Sequence, residues 1–450
     1  MLTSLTAVSA ALSTGETTAE RLLDQSLQRI AERDGALNSF VHIDHDGART
    51  AARDSDRRRA ARMSLSPIDG VPISVKDSLL VSGMPATWGS RALARHVPDH
   101  DELPVARLRA AGAVLIGKTN VPELTLEGYT RNDLFGVTRN PWDERLTPGG
   151  SSGGAAAGVA AGFVTAAIGT DGGGSIRRPA SHTGLVGWKP SIGHIPRRDG
   201  FPAILTDFEV IGTLTPTVAD AALLDAVLSG PETGERWSQH SAPAADVSRP
   251  ARILFIPRFG TAPVDSQVAA VTRDFATRLE QLGHRVETGE VFFDLDRFAR
   301  IWQVISRSGV AWLMESGGWD LRGLAGASVQ AMAADGARMT GADYFAALDW
   351  VATLRRQVDG LFSRYDYVLT PTAAALPWAA ETPYPTEIDG QPAGPRDHAI
   401  FTGWVNAAGL PAISSPVGAS AGGLPIGVQL VAGFGRDLQL LQFAQAQIAP

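Results

Sequence analysis

Short apolar runs rich in β-branched residues alternate along this chain with segments whose apolar residues recur at helical spacing. GVPISVKDSLLV at 70–81, GAVLIGK at 112–118 and ARILFIP at 251–257 have the composition of buried strands. A small-residue helix followed by a strand is predicted over 153–171, and Asp265 is placed to cap a helix after the strand at 251–257. This alternation predicts a layered α/β fold built on a largely parallel or mixed sheet.

Length and composition exclude several classes of protein. The 450 residues are 44% hydrophobic and 19% charged, which suits one large domain or about three small ones. A net charge of −7 disfavours a broad surface for nucleic acid or anionic membranes, and the absence of cysteine excludes disulfides, thiolate zinc sites and cysteine nucleophiles. The first residues lack a basic segment, and no apolar run is long enough to span a membrane. We therefore expect a cytoplasmic protein with no nucleic-acid or membrane partner.

Lysine is rare in this chain, which makes each lysine informative. Of the 40 basic residues only Lys76, Lys118 and Lys189 are lysine, and the other 37 are arginine. Arginine stays protonated in proteins, whereas a buried lysine can lose its proton and act as a base. Each lysine is therefore either a candidate amine base or a residue retained for packing.

Residues 112–119 match the phosphate-binding pattern G-x-x-x-x-G-K-[ST] letter for letter. That pattern needs a loop whose backbone N–H groups surround phosphate, and a helix that begins directly after it. Here the four intervening residues are Ala, Val, Leu and Ile, which favour a buried strand, and NVP at 120–122 delays any helix. A nucleotide-binding protein that uses this segment is kept as an alternative from a different class.

The stretch TPGGSSGG at 147–154 contains the G-x-S-x-G pattern of a nucleophile elbow around Ser151. An elbow follows directly on a buried strand, but the preceding residues RNPWDERLTP are charged and end in proline. His398 is available as a downstream base. A Ser-His-Asp hydrolase centred on Ser151 is therefore a second alternative.

A second glycine-serine segment, GTDGGGSIRRPA at 169–180, has the composition of an anion-binding turn. Successive backbone amides in such a turn can converge on one point and form an oxyanion hole. The amides concerned are those of Gly172, Gly173, Gly174 and Ser175. Ser175 stands at the end of the turn, where a nucleophile would place its adduct in the hole. Asp171 and Arg177 flank it with opposite charges and are expected to pair and brace the turn.

Taken in order, the segments GVPISVKD, GAVLIGKTN, PGGSSGG and GTDGGGSIRRPA resemble the amidase signature family of serine hydrolases. The separation of 24 residues between Ser151 and Ser175 is also what that family shows. Further similarity lies in GLVGWKPS at 184–191, DYVLTPT at 366–372, and NAAGLPAISSPVG through GLPIGVQLVAG at 406–433. The resemblance therefore covers most of the chain.

The resemblance implies one amidase domain over 1–450, with a large mixed, mostly parallel sheet covered by helices on both faces. Residues 67–200 would form the signature core that carries the catalytic residues. Residues 285–400 would form a variable, mostly helical region that sets substrate specificity.

The resemblance also implies a catalytic triad without histidine. Ser175 would be the nucleophile, Ser151 the bridging serine on a cis peptide bond, and Lys76 the base. The amides of 172–175 would form the oxyanion hole. Four residues would support the triad by hydrogen bonds or an ion pair: Ser152, Thr170, Asp171 and Arg177. No metal or cofactor is implied.

In such a triad the amine of Lys76 must be uncharged, because it takes a proton from Ser151 while Ser151 takes one from Ser175. A free lysine has a pKa near 10.4, so burial must lower that pKa to about 7 for half of the amine to be neutral at pH 7. We therefore expect a neutral-to-alkaline pH optimum. Lys118 and Lys189 are expected to be structural.

This chemistry acts on amides and excludes neither esters nor aryl carbamates, so the expected partner is a small-molecule amide or carbamate. Six residues of the variable loops and helices are candidates for the substrate pocket: Tyr129, Thr130, Trp302, Trp378, Phe401 and Trp404. An aromatic lining would suit an apolar or aryl substrate. A homodimer is compatible with the sequence.

One branch of the family serves in the tRNA-dependent amidotransferase, as a glutaminase that hands ammonia to a partner. Two observations disfavour this alternative. The chain has no excess of basic residues, and it departs from common family usage near the core. His182 and Thr183 stand where many members have an aromatic residue and a cysteine, and Ile192 replaces a frequent tyrosine. A stand-alone hydrolase is therefore the main expectation.

Overall fold

The computed structural model describes residues 4–239, 249–316 and 318–448. Within these ranges the strands are β1 (Phe40–Ile43), β2 (Pro72–Lys76), β3 (Val114–Thr119), β4 (Arg131–Asn132), β5 (Gly136–Val137), β6 (Ala166–Asp171), β7 (Val186–Lys189), β8 (Val210–Thr215), β9 (Arg252–Phe255), β10 (Arg285–Thr288), β11 (Tyr367–Pro371), β12 (Glu387–Ile388), β13 (Gln391–Pro392), β14 (Ala412–Ala419) and β15 (Pro425–Ala432).

The helices of the same ranges are α1 (Leu5–Thr14), α2 (Ala19–Leu37), α3 (His45–Ala60), α4 (Leu103–Ala110), α5 (Gly153–Ala160), α6 (Arg177–Thr183), α7 (Val218–Leu228), α8 (Ser266–Gln281), α9 (Leu295–Ser316), α10 (Leu321–Leu324), α11 (Ala327–Gly336), α12 (Gly341–Phe362), α13 (Gly403–Ala408) and α14 (Asp437–Ile448). As predicted, Asp265 caps α8, where its carboxylate accepts from the N–H groups of Gln267 and Val268 at 2.9 and 3.3 Å. Within the described residues, no helix combines the length and apolar character needed to cross a membrane.

In the part of the chain that the structure describes, eleven strands form one large sheet in the order β1-β3-β2-β6-β8-β7-β14-β15-β11-β9-β10. The pairs β4–β5 and β12–β13 form two small separate ribbons. Helices cover both faces of the large sheet and bury its apolar side chains. The expected mixed α/β fold is therefore confirmed. The predicted boundaries of a core at 67–200 and a variable region at 285–400 stay a prediction.

One detail of the expected sheet is wrong, because it is not mostly parallel. β2 is parallel to β3 and β6, and β9 is parallel to β10 and β11. The other six pairings among the described strands of this sheet are antiparallel. A strand buried on both faces is an apolar run whichever way its neighbours point, so composition alone does not report direction.

The phosphate-loop alternative at 112–119 is also wrong. Residues Val114–Thr119 form β3, a strand in which every residue is buried, and β3 pairs with β1 on one side and β2 on the other. Its backbone N–H groups belong to the sheet and do not surround a ligand. Val114, Leu115 and Ile116, which lie between the two glycines, therefore form part of a buried strand, as their composition favours.

The topology brings the predicted catalytic segments to one edge of the sheet. β2 and β6 are parallel neighbours, with Val75 opposite Ile168, so their carboxyl ends lie side by side. Lys76 is the last residue of β2, and Asp171 is the last residue of β6. Ligands of open α/β sheets bind in the crevice outside the carboxyl ends of the strands. The candidate site lies at that edge.

Candidate active site

Lys76 contacts the bridging serine predicted from the sequence. Its side chain is completely buried, and its Nζ lies 2.8 Å from Ser151 Oγ and 2.8 Å from Thr170 Oγ1. Burial lowers the pKa of Lys76 to about 7, although Glu209 and Asp171 oppose the shift through their charges. Roughly half of the amine is therefore neutral at pH 7 and able to accept a proton.

Ser151 lies in a loop that leaves no room for larger side chains. The Gly150–Ser151 peptide bond is cis. A Cβ atom on Gly150 would come within 2.5 Å of the carbonyl oxygen of Tyr129, so only glycine fits at that position. Ser152 ties this loop to Ser175, because its backbone N–H donates to the Ser175 carbonyl at 3.1 Å.

Ser175 is 8% exposed and lines a cavity beside this loop. The preceding Gly174 has a φ of +109°, and a Cβ atom there would lie 2.3 Å from Thr402 Oγ1. A left-handed backbone at this point turns the chain sharply between β6 and α6. No described residue is hydrogen-bonded to Ser175 Oγ, which leaves the hydroxyl available to attack a carbonyl.

The structure corrects one member of the predicted oxyanion hole. The Gly174 N–H donates to Asp171 Oδ1 at 2.7 Å, so this amide is already occupied. The N–H groups of Gly172, Gly173 and Ser175 have no acceptor among the described residues, and these three residues line the cavity. Three free amides in the turn that ends at Ser175 can stabilise a developing oxyanion.

Asp171 and Arg177 form the buried ion pair expected from the sequence. Both side chains are fully buried, with Nη2 to Oδ1 at 2.8 Å and Nε to Oδ2 at 3.0 Å. The Arg177 charge and hydrogen bonds outweigh the effect of burial and hold the pKa of Asp171 far below its usual value. Asp171 also accepts from the N–H groups of Gly174 and Ile176, so it fixes the shape of the turn.

Three residues that support this pair were not identified from the sequence. Asn406 donates to the Asp171 carboxylate at 2.9 Å, and Arg177 donates to Gln429 at 2.6 Å and to the Thr402 carbonyl at 3.2 Å. Asn406 and Gln429 lie in the family-like segment at 406–433, but nothing in that segment indicates which side chains reach Asp171. Only the tertiary structure shows this.

Arg178 was also missed, although it directly follows Arg177. Its guanidinium is buried and donates to the carbonyls of Gly173 at 2.9 Å and Gly150 at 3.2 Å. Burial lowers the pKa of Arg178 to about 9. This one side chain therefore links the two glycine loops that hold Ser151 and Ser175.

The other two lysines lie away from both serines. Lys118 donates to the Leu79 carbonyl at 2.7 Å and lies 3.6 Å from the Asp77 carboxylate, whereas Lys189 donates to the Pro190 carbonyl at 2.7 Å. Burial lowers the pKa of Lys189 to about 7, as it does for Lys76. Contact with Ser151 therefore singles out Lys76, and a lowered pKa alone does not.

The cavity in front of Ser175 has a volume of about 480 Å³ and combines apolar walls with a few charged groups. Leu205, Phe298, Trp302 and Met332 contribute apolar surface, and Arg396 lies over the ring of Trp302. A cavity of this size and composition can hold a small organic substrate.

Of the six candidate pocket residues, only Trp302 lines this cavity. Phe401 and Trp404 are fully buried in the hydrophobic core, as expected for large apolar side chains beneath a site. Trp378 packs against the rings of His182 and His398. Thr130 and Tyr129 instead support the Ser151 loop, Thr130 through a hydrogen bond to the Gly149 carbonyl at 2.8 Å.

Within the described residues, no histidine is hydrogen-bonded to Ser151 Oγ. Among the described residues, the side chain bonded to Ser151 Oγ is Lys76, and His398 packs edge-on against Trp378 with ring centroids 4.7 Å apart. Neither ring nitrogen of His398 has a hydrogen-bond partner among the residues that the structure describes. The Ser-His-Asp alternative therefore lacks the geometry it requires.

A protein-family model described as Amidase matches residues 21–441. The chain is 35% identical over 464 residues to the A subunit of the glutamyl-tRNA(Gln) amidotransferase of Synechococcus sp. (strain CC9605), covering 96% of this chain and 93% of that protein. Among solved structures it is similar to a bacterial aryl acylamidase, with a TM-score of 0.90, 28% identity, and coverage of 99% and 96% of the two chains. The corresponding amidotransferase chain of Thermotoga maritima gives a TM-score of 0.76 at 28% identity, covering 95% and 91%.

Proposed function

This chain belongs to the amidase signature family, and we propose that it cleaves the C–N bond of a carboxamide through an acyl-enzyme on Ser175. One observation carries the proposal. The Nζ of the buried Lys76 lies 2.8 Å from Ser151 Oγ, on a loop tied to Ser175 by a backbone hydrogen bond. This arrangement supplies a base, a proton carrier and a nucleophile in sequence.

The proposed reaction begins when neutral Lys76 takes the proton of Ser151 and Ser151 takes that of Ser175. The Ser175 oxygen adds to the amide carbon, and the free amides of Gly172, Gly173 and Ser175 hold the oxyanion. Collapse of the tetrahedral adduct breaks the C–N bond, and the leaving amine receives the proton that returns from Lys76 through Ser151. Water then adds to the acyl-enzyme and gives its proton to the same relay, which releases the acid and restores Ser175.

The relay also requires a hydrogen bond from Ser175 to Ser151, a contact that substrate binding would have to complete. Hydrogen bonds of catalytic groups are often long in ligand-free sites and tighten in the complex with substrate. The Ser152–Ser175 backbone hydrogen bond keeps the two serines on adjacent loops.

Glutamine is the first substrate to test. The amidotransferase A subunit of Synechococcus sp. (strain CC9605) named above aligns with nearly the whole sequence. This relative supports the glutaminase alternative better than the stand-alone hydrolase expected from the sequence. In that role the chain would release ammonia from glutamine for a partner protein. The absence of an excess of basic residues does not exclude it, because the partner could contact the tRNA.

A stand-alone hydrolase of small amides is the second candidate, and the cavity favours it. Its walls include Leu205, Phe298, Trp302 and Met332, which suit an apolar or aryl group. Aryl carbamates and esters present a similar carbonyl to Ser175 and belong to the same candidate class. The likeness to the aryl acylamidase structure points in this direction.

A substrate panel with matched variants tests both candidates. Wild type, Ser175→Ala, Ser151→Ala and Ser74→Ala are assayed on glutamine, an aliphatic amide, an anilide, an aryl carbamate and an ester, and intact-protein mass spectrometry follows the acyl-enzyme. We expect Ser175→Ala to lower kcat by a factor on the order of 10⁴–10⁶ and to abolish acylation. Ser74 is buried on β2 without a hydrogen-bond partner among the described residues, so Ser74→Ala serves as the control. Normal turnover by Ser175→Ala would disprove the proposal.

A further inference from the structure

We propose that Arg396 and His398 form a subsite for a carboxylate carried by the amide substrate. This inference rests on the proposed function, because it concerns the substrate of the same cavity. Both residues belong to the segment between β13 and α13, and both line the cavity that contains Ser175.

The Arg396 guanidinium lies beside the oxyanion turn. Its carbon lies 4.5 Å from the centroid of the Trp302 ring, a cation–π contact that holds the side chain across the cavity wall. Its Nη2 would be 3.6 Å from a Cβ atom placed on Gly173, and Gly173 is two residues before Ser175. A group bound by Arg396 would therefore sit close to the reacting carbonyl.

Arg396 is charged but has no ion-pair or hydrogen-bond partner among the described residues. Among the described residues, no carboxylate lies within ion-pair distance of its guanidinium and no acceptor within hydrogen-bond distance. The two other arginines of the cavity are engaged: Arg178 donates to two backbone carbonyls, and Arg307 lies 3.1 Å from Asp335. A guanidinium presents five N–H donors in a planar fork that matches a carboxylate. Arg396 is thus the cavity arginine left free to bind one.

Nearby carboxylates are occupied by other groups. Asp397, the next residue, accepts from the Gly394 N–H at 2.7 Å. Glu127 also lines the cavity, and its carboxylate accepts from Ser328 Oγ at 3.0 Å. The Arg396 side chain is exposed, and a guanidinium stays protonated in proteins, so Arg396 is a cation at neutral pH.

His398 adds a neutral donor to the same segment. It is 3% exposed, lines the cavity, and has no hydrogen-bond partner among the described residues at either ring nitrogen. Burial and the charges of Arg178 and Arg396 keep the pKa of His398 well below its ordinary value, so the ring is neutral. A neutral imidazole has one N–H to donate. Because both residues line the same cavity, the proposed subsite combines the Arg396 guanidinium with the unpartnered ring of His398.

Both candidate substrate classes can carry this group, because glutamine has an α-carboxylate and a small-molecule amide can have a carboxylate at its far end. Three amides separate these sources. Glutaramic acid, the monoamide of glutaric acid, carries a carboxylate alone, and glutamine carries a carboxylate and an ammonium. 5-Methylhexanamide has an uncharged isopropyl group of similar shape in place of the carboxylate. Preference for either carboxylate-bearing amide over 5-methylhexanamide supports the subsite, and the better of the two identifies the source.

The test compares kcat/KM for these amides in wild type, Arg396→Gln and Arg307→Gln. We expect wild type to prefer glutaramic acid or glutamine over 5-methylhexanamide by about 10–100-fold in kcat/KM, the usual effect of hydrogen bonds to a charged group. Arg396→Gln should remove most of this preference, and Arg307→Gln, which breaks an existing ion pair in the same cavity, should retain it. An unchanged preference in Arg396→Gln, or preference of wild type for the neutral amide, would overturn the inference.

An inhibition assay on wild type tests the subsite without any variant. Glutarate should competitively inhibit hydrolysis of 5-methylhexanamide by wild type, and lack of inhibition counts against the subsite even if Arg396→Gln does not fold. Failure of the proposed function looks different: wild type would then hydrolyse none of the amides, esters or carbamates and would form no acyl-enzyme at Ser175. Turnover without any preference that depends on Arg396 would reject the subsite alone.

Discussion

Lys76 and Lys189 show that position, rather than acidity, defines the proposed base. Both are fully buried, and burial lowers both pKa values to about 7, but only Lys76 contacts Ser151. We expect Lys76→Met to lower kcat by about 10²–10⁴-fold, the usual contribution of a general base. Lys189→Met is the matched control and should lower kcat far less, once thermal melting has shown that both variants fold. Equal losses of kcat in the two folded variants would remove Lys76 from the mechanism.

The pKa of Lys76 also sets the expected pH dependence. The relay needs the neutral amine, and the neutral fraction grows as the pH rises through about 7, well below the ordinary lysine pKa. The kcat/KM of wild type should therefore rise between about pH 6 and pH 8 and then level off. A profile that peaks in acid and falls through neutral pH is incompatible with an amine base.

The sequence indicates the two serines through their glycine-rich motifs, and it indicates Lys76 through the resemblance to the amidase signature family. The rarity of lysine alone leaves three candidates. It does not indicate Asn406 or Arg178, because the partners of these side chains lie on segments distant in the chain or are backbone carbonyls. The expected role of Gly174 is wrong for a related reason. Spacing shows four amides in a row, but only the folded turn shows that Asp171 already binds one of them.

At the level of elements, the ion pair between the end of β6 and the start of α6 fixes the oxyanion turn. Asp171→Asn leaves the Arg177 charge buried without its counterion, which costs about 3–5 kcal/mol of the free energy of unfolding. We expect a clear loss of stability in urea unfolding, together with a lower kcat because the turn loses its brace.

Asp143→Asn is the control for this change. Asp143 pairs with Arg145 on the surface, where the Arg145 side chain is 88% exposed, and we expect no measurable loss of stability there. A second variant, Arg177→Met, gives a double-mutant cycle with Asp171→Asn. If the two changes were additive, Asp171 and Arg177 would not stabilise the turn as a pair.

Strand positions follow from composition, whereas strand directions depend on connections. The apolar runs at 70–81 and 112–118 contain β2 and most of β3, because such residues favour a buried sheet. β14 and β15 are joined by a short turn at 420–424, which forces an antiparallel pair that alternation of strands and helices does not predict. Composition also does not distinguish a residue of the pocket from a residue of the core, because Phe401 and Trp404 lie in the hydrophobic core.

Over the whole molecule, the predicted triad residues and the lining of the cavity come from distant segments of this chain. Lys76, Ser151 and Ser175 lie at the carboxyl ends of β2 and β6 and in the loops beside them. The cavity lining also includes residues of two distant segments, 124–128 and 394–403. Amide hydrolysis should therefore not depend on a partner, even if the chain passes ammonia to one. We expect the rate measured with purified chain to be proportional to its concentration over a wide dilution range, with Ser175→Ala as the blank at each point. A steep fall in specific activity on dilution, or activity that appears only after another protein is added, would mean that the site is completed by a second chain.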